Sequence, residues 1–410
     1  MAEWVRGPLT SRCEPPRHAT SGASFSLFPV SASLFRSPCS LIDRVLYLCS
    51  MRILSVVGAR PNFMKLAPLD RELSGRAGCE HFIVHTGQHY DRNMSDSFFT
   101  DLGIPEPHHN LGVGSASHAQ QTGAIMQQFE PVCLEVKPDL VLVYGDVNST
   151  VAAALVAAKL GIRVGHVEAG LRSRDWSMPE EINRVVTDRL SDLLFTPSAD
   201  ADANLRNEGV LTDRIHFVGN IMIDTLAYAL PGARELRVHE ERALPVAEYC
   251  VVTLHRPSNV DDPKTLHVLM DTLFEISRRK PVVFPVHPRT RERIDTIGWE
   301  APQASDFHLL EPIPYLEMLS LVDSAGAVIT DSGGLQEETT LLGVPCVTVR
   351  PNTERPITCS EGTNQLVVPE RAVIMEAVRG AHHRRIPGGA KIEKWDGHTG
   401  KRIADLLVSG

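Results

Sequence analysis

The chain has 410 residues, 43% hydrophobic and 22% charged, with a formal net charge of −9. That length accommodates two cored domains without covalent staples, and the negative balance excludes a general nucleic-acid or anionic-membrane binder while leaving room for local basic pockets. The eight cysteines are irregularly spaced with no C-x-x-C pair, which points away from zinc and disulfide frameworks and toward a reducing, cytoplasmic setting.

Residues 1–50 are rich in Ser, Pro and Arg and show no period, so they read as a disordered or non-native extension with Met51 as the natural start. Glu3, Glu14 and Asp43 argue against a transit peptide. From Met51, short apolar runs alternate with helical segments. Ile53–Val57, Phe82–His85, Leu140–Tyr144, Arg163–Val167 and Leu193–Thr196 read as buried strands. A second series follows at Cys250–Leu254, Val282–Val286, Phe307–Leu309, Ala327–Thr330 and Cys346–Val349. Such alternation predicts βαβ units, hence an α/β chain of two Rossmann-like domains with parallel sheets facing across a cleft. The expected boundaries are 51–218, 219–388 and a C-terminal helix within 389–410 that packs back on the first domain. A polar stretch at 232–247 reads as a surface helix or excursion. No run of about 18 uncharged apolar residues occurs, so no membrane span is expected.

Absent motifs narrow the chemistry. There is no G-x-G-x-x-G, no Tyr followed four residues later by Lys, no Walker A motif and no H-E-x-x-H. NAD-dependent epimerisation, P-loop hydrolysis and zinc proteolysis are thereby disfavoured.

The motifs that are present cluster at strand ends, where ligands of open α/β sheets bind. GARPNFMK (58–65) places Arg60 and Lys65 near a helix start, either as an anion site or as solvated turn residues. GDVNST (145–150) follows a buried strand. Asp146 there is a candidate acid/base, and Asp146, Asn148 or Ser149 is expected to cap the next helix. Glu168 ends the strand in HVEAGLRS (166–173). Its carboxylate is expected to be partly desolvated, or else paired with Arg172 or Arg174. PEEINR (179–184) starts a helix, with Glu180 and Arg184 on one face; a helix-dipole role explains Glu180 or Glu181 equally well. In the second half, LHRPSN (254–259) and PVHPRT (285–290) put His255 and His287, each near an arginine, at strand ends, suggesting an anion pocket. TDSGGLQEE (330–338) runs a strand through Ser332, Gly333 and Gly334 into a helix, where bare N–H groups can hold a diphosphate. Glu338 lies farther along, within reach of a ribose diol.

Together with HTGQHYD (85–91) and TERP (353–356), these motifs resemble, in order, those of the non-hydrolysing UDP-N-acetylglucosamine 2-epimerases. The resemblance runs from Met51 to the C-terminus. It implies the two-domain GT-B architecture, a homodimer, no redox cofactor and no metal. The implied activity interconverts UDP-GlcNAc and UDP-ManNAc by eliminating UDP to a 2-acetamidoglucal and re-adding it, in the service of surface polysaccharide synthesis. By position, Asp146, Glu168 and Glu180 match carboxylates that move the C2 proton, and His255 matches the histidine tied to UDP departure. Arg60, Lys65 and Arg184 resemble partners of phosphate or of those carboxylates. Ser332, Gly333, Gly334, Glu338, Tyr315 and Arg355 match the UDP site, and His287 joins the anion pocket. Gln88 and Arg256 resemble positions of a second, activating UDP-GlcNAc site. Asn62 and Ser258 stand where many members carry Glu. Competing readings are a 2-epimerase of a 2,3-diacetamido uronic acid nucleotide, a GT-B glycosyltransferase, a hydrolysing epimerase and a non-enzymatic UDP-sugar sensor.

Overall fold

The computed structural model describes residues 50–87, 102–300 and 306–408, Arg60 by its backbone alone. Two parallel sheets dominate. The first has the order β3-β2-β1-β4-β5-β6-β7 and the second β10-β9-β8-β11-β12-β13. The first sheet's strands are β1 (Met51–Val57), β2 (Cys79–His85), β3 (His109–Asn110), β4 (Leu140–Tyr144), β5 (Arg163–Val167), β6 (Leu193–Thr196) and β7 (Ile215–Phe217). The second sheet's are β8 (Cys250–Thr253), β9 (Val282–Pro285), β10 (Phe307–Leu310), β11 (Ala327–Thr330), β12 (Cys346–Val349) and β13 (Asn364–Val367). The ten strands expected from the apolar runs are all present, within two residues at each end for all but β2, which starts three residues earlier. Short β3, β7 and β13 were not anticipated.

Both faces of each central strand are covered by helices, which is why these strands are apolar throughout rather than alternating. In β4 every residue from Leu140 to Tyr144 is buried. Chain order reverses between β1 and β4 in the first sheet and between β8 and β11 in the second. These are the topological switch points where a crevice opens beyond the strands' carboxyl ends. GARPNFMK follows β1, GDVNST follows β4, LHRPSN follows β8 and TDSGG follows β11.

The seam between the two sheets is apolar. Ile221, Met222 and Leu226 of the helix Ile221–Leu236 join Leu66 and Leu69 of the helix Arg60–Leu73 and Leu319 of the helix Tyr315–Ser324 in one core. The helix Ile221–Leu236 covers only the start of the polar stretch 232–247, which continues in the short helix Val238–Glu241 and then leaves helix. The last helix, Thr399–Val408, buries Ile403, Ala404 and Leu407 in the same core. Helical spacing was expected from Ile392, but residues 392–398 form no helix; Ile392 and Trp395 instead pack with Ile223 and Ala390. None of the described helices is long and apolar enough to cross a membrane.

Candidate active site

Lys65 lies in the second turn of the helix Arg60–Leu73, buried and aimed across the end of β4. Its Nζ pairs with Glu168 Oε2. This path exists because residue 145 is glycine. Gly145 adopts φ +62°, and a Cβ there would stand 2.7 Å from Lys65 Nζ. Asn62 closes the start of the same helix: its Oδ1 accepts the Ala59 N–H at 3.1 Å and its Nδ2 donates to the Tyr144 carbonyl at 2.5 Å. Asn62 thus ties β1's exit loop to β4's end from a buried position.

Glu168 is 5% exposed and holds φ +75°, the left-handed region that non-glycine residues rarely adopt. The strain is stabilised locally, because the N–H groups of Glu168 and Ala169 both donate to the Phe195 carbonyl. The carboxylate pairs with neither Arg172 nor Arg174. Its Oε1 accepts from Arg355 Nη2 at 2.8 Å, a contact between residues 187 apart in sequence that bridges the two sheets.

Asp146 is not a cap. The helix Asn148–Lys159 begins after Val147 and has no side-chain cap, so that expectation is corrected for Asn148 and Ser149 as well. Asp146 Oδ2 instead accepts from Arg184 Nη1 at 3.2 Å, and its carbonyl accepts from Asn183 Nδ2 at 2.9 Å. The two adjacent glutamates differ in surroundings. Glu181 is buried and accepts the N–H groups of Ser173 and Arg174 at 2.9 and 2.8 Å, plus Arg184 Nε at 3.2 Å. That occupies it structurally. Glu180 is half-buried and lies within electrostatic range of Arg256.

Across the seam, Arg355 uses its whole guanidinium: Nε to Glu337 at 2.7 Å, Nη1 to Glu354 at 2.6 Å and Nη2 to Glu168. Burial opposes its charge, but Glu337, Glu168, Glu354 and Asp146 hold it well above the ordinary arginine value. Glu354 also pairs with Arg350 at 2.8 Å and lies 3.8 Å from Arg256. Burial works against its ionisation too, yet Arg355, Arg350 and Arg256 hold it well below the usual carboxylate range. Gly333 admits this cluster to the start of the helix Gly333–Leu342, since a Cβ there would stand 2.7 Å from Arg355 Nη1. The helix's unpaired first-turn N–H groups and Arg355 therefore converge, a suitable cradle for a diphosphate.

Burial, against the pull of Arg355 and reinforced by the charge of Glu168, raises Glu337 to about 6. A carboxyl whose folded-state pKa exceeds its unfolded value near 4.5 stabilises the fold below that value and loses the contribution as pH rises through 6. E337Q removes this titration. The variant's stability relative to wild type is expected to be higher at pH 7.5 than at pH 5, measured by urea unfolding.

His255 is 44% exposed, and its Nδ1 lies 3.0 Å from the fully buried Asp331 Oδ1. Asp331 also accepts the N–H groups of His255 and Arg256 and the amide of Asn259. Burial would raise its pKa, but the His255 hydrogen bond and charge, with these donors, hold it below the usual value. A carboxylate on Nδ1 leaves Nε2 as the working edge of the ring. The His287 ring lies 6.2 Å away, and His287 Nδ1 caps its own helix by accepting the Arg289 N–H at 3.2 Å. Tyr315 Oη donates to Glu338 Oε1 at 3.1 Å, which joins two of the expected UDP-site residues. Gln88 and the side chain of Arg60 lie outside the described residues. Asp331, Glu337, Glu354 and Arg350 were missed because each is silent until folding places a partner of opposite charge or a histidine beside it.

One look-alike is excluded. Ser55 Oγ, His81 and Asp70 are hydrogen-bonded in the order of a hydrolase triad, each contact 2.8 Å. Ser55 is fully buried and shares its hydroxyl with Tyr144, so no substrate reaches it.

Residues 71–408 match the family model described as UDP-N-acetylglucosamine 2-epimerase. The chain belongs to the UDP-N-acetylglucosamine 2-epimerase family. A UDP-N-acetylglucosamine 2-epimerase homolog of Methanococcus maripaludis is 45% identical over 80% of this chain and 92% of its own. A UDP-2,3-diacetamido-2,3-dideoxy-D-glucuronate 2-epimerase of Pseudomonas aeruginosa is 41% identical over 87% of this chain and 99% of its own. Among solved structures, the UDP-GlcNAc 2-epimerase of Methanocaldococcus jannaschii in complex with UDP-GlcNAc and UDP is 40% identical, with a TM-score of 0.81 over 88% of this chain and all of that one. Membership in this family makes the chain an epimerase of the α/β, GT-B type.

Proposed function

We propose that the chain interconverts UDP-GlcNAc and UDP-ManNAc at C2 by eliminating and re-adding UDP. The observation that carries the reading is the set Asp146 after β4, Glu168 after β5 and Glu180 on the helix Pro179–Leu190, with Glu168 bonded to Arg355 and Glu180 within electrostatic range of Arg256 from the second sheet's side. The sugar C2–H adjoins no carbonyl, so the C1–O bond must weaken ahead of proton loss. Hydrogen-bond donors at the diphosphate do that work: Arg355, the helix N-terminus at Gly333 and His255 stabilise departing UDP. One carboxylate then takes the C2 proton, giving 2-acetamidoglucal. A second, on the opposite face, returns a proton as UDP re-forms the C1–O bond. Arg355 links the two events: turning from Glu168 to the departing diphosphate frees the carboxylate as a base. Tyr315 and Glu338 hold the ribose, and Lys65 and Arg184 hold Glu168 and Asp146 in place. A proton moves and no hydride does, so the overall reaction calls for no redox cofactor. The reading extends to a cytoplasmic homodimer that supplies ManNAc-type sugars for surface polysaccharide, with Gln88 and Arg256 in an activating site.

The Pseudomonas relative favours a second substrate, UDP-2,3-diacetamido-2,3-dideoxy-D-glucuronate, at an identity no lower than that of the Methanocaldococcus enzyme. Purified protein incubated with each nucleotide sugar separates the two. UDP-ManNAc forming from UDP-GlcNAc supports the first reading. Turnover of the uronate alone supports the second, and free ManNAc with UDP contradicts both.

A further inference from the structure

Beneath the three carboxylates lies a buried network that the reaction above does not use. His166, on β5, is 0% exposed. Its Nε2 lies 2.8 Å from the carbonyl of Gly145, the residue before Asp146. Its Nδ1 lies 2.6 Å from Asp188 Oδ1. Asp188 belongs to the helix Pro179–Leu190, which carries Glu180. The other oxygen of Asp188 accepts the N–H of Gly170, two residues after Glu168, at 3.1 Å, and pairs with Arg172 at 2.7 Å. Arg172 is locked in turn by Glu208 at 2.8 and 2.7 Å.

We infer that the buried His166–Asp188–Arg172 network is the positioning device for all three carboxylates, setting the spacing of the loops that carry Asp146 and Glu168 against the helix that carries Glu180. A carbonyl only accepts, so Nε2 must carry a proton. Asp188 already accepts from an amide and a guanidinium, so it accepts from Nδ1 as well, and both ring nitrogens donate. Burial works to raise Asp188, but the charges and hydrogen bonds of His166 and Arg172 hold it ionised, in agreement with that assignment. With both nitrogens donating, His166 joins two acceptors on separate elements, the Gly145 carbonyl after β4 and Asp188 on the helix Pro179–Leu190. Its neighbour two residues on is Glu168, held at φ +75° by the same stretch of chain. None of the three network residues is a candidate to touch substrate; they act through the loops they join.

The kinetic arm of the test rests on the epimerase reading; the exchange arm does not. H166Q keeps one donor for Gly145 but sets a carbonyl oxygen against Asp188, acceptor against acceptor. In the double variant H166Q/D188N the introduced asparagine donates to the introduced glutamine and still accepts from Gly170. H166Q is expected to lose kcat by about 10²-fold, the scale of a 1 Å misplacement, with KM and UDP affinity within about twofold because UDP binds the other sheet. Amide exchange should quicken at 145–150 and 168–172 and stay unchanged in the second sheet. The double variant should regain at least about tenfold of the lost kcat. The inference is overturned by H166Q with near wild-type kcat and exchange, by exchange that quickens in both sheets while UDP affinity falls, or by a double variant no better than H166Q. Should H166Q fail to fold, the double variant decides: wild-type protection at both loops supports the device, and its own failure to fold overturns it. A wild type inactive on UDP-GlcNAc defeats the functional reading, and the exchange comparison then still decides the network.

Discussion

E168Q is expected to lower kcat by about 10³-fold while UDP affinity changes only a few-fold, the range in which one positioned acid or base contributes. Glu168 stands at the meeting point of Lys65, from the first sheet's side, and Arg355, from the second's. Glutamine fits the same space but its one oxygen accepts from only one of the two, its NH2 facing the other's donors, so the change removes charge, proton-accepting capacity and one of the two contacts. The product pool after long incubation should show neither epimer nor glucal. If E168Q retains kcat within about tenfold of wild type, the proton is moved elsewhere, and Asp146 and Glu180 become the pair to test.

R355A is expected to lose about 3–5 kcal/mol of stability near pH 7.5, because it strands Glu337 in a buried site and leaves Glu168 with Lys65 alone and Glu354 with Arg350 and Arg256. The loss should be smaller at pH 5. Stranded carboxylates have folded-state pKa values above their unfolded ones, so the folded protein binds the extra protons and gains stability as pH falls. Urea unfolding at the two pH values measures this. R355K should recover only part of it, since one ammonium cannot reproduce three fork contacts in three directions. Equal stability of R355A and wild type at pH 7.5 would show that the three carboxylates do not depend on this cation. Activity should fall in both variants, because the same group serves the departing diphosphate.

Much of this arrangement was legible before folding. Fully apolar runs marked the central strands, and polar residues directly after them marked the switch points, so Asp146, Glu168, His255 and Ser332 could be singled out by position alone. The partners were not legible. Arg355 reaches Glu168 across 187 residues, and Asp331, Glu337 and Asp188 read as ordinary acids among 50 in the chain. Capping rules misassigned the residues after β4, because Asp146 is drawn to Arg184 and the helix starts without a side-chain cap. Strand β13, Asn364–Val367, opens with two polar residues, and the burial of the first is stabilised by hydrogen bonds: Asn364 bonds Gln336, Thr348 and Thr358. Apolar periodicity cannot see such a strand. The choice between Glu180 and Glu181 needed the loop at 173–174, whose N–H groups occupy Glu181.

The central claim, that proton transfer at C2 passes through separate carboxylates on two faces of the sugar, is tested most directly by NMR of UDP-GlcNAc incubated with wild-type protein in D2O. UDP-ManNAc carrying deuterium at C2, with deuterium also entering the remaining UDP-GlcNAc, is the expected result. UDP-ManNAc that keeps its original C2 hydrogen, or no epimer at all, would contradict the account.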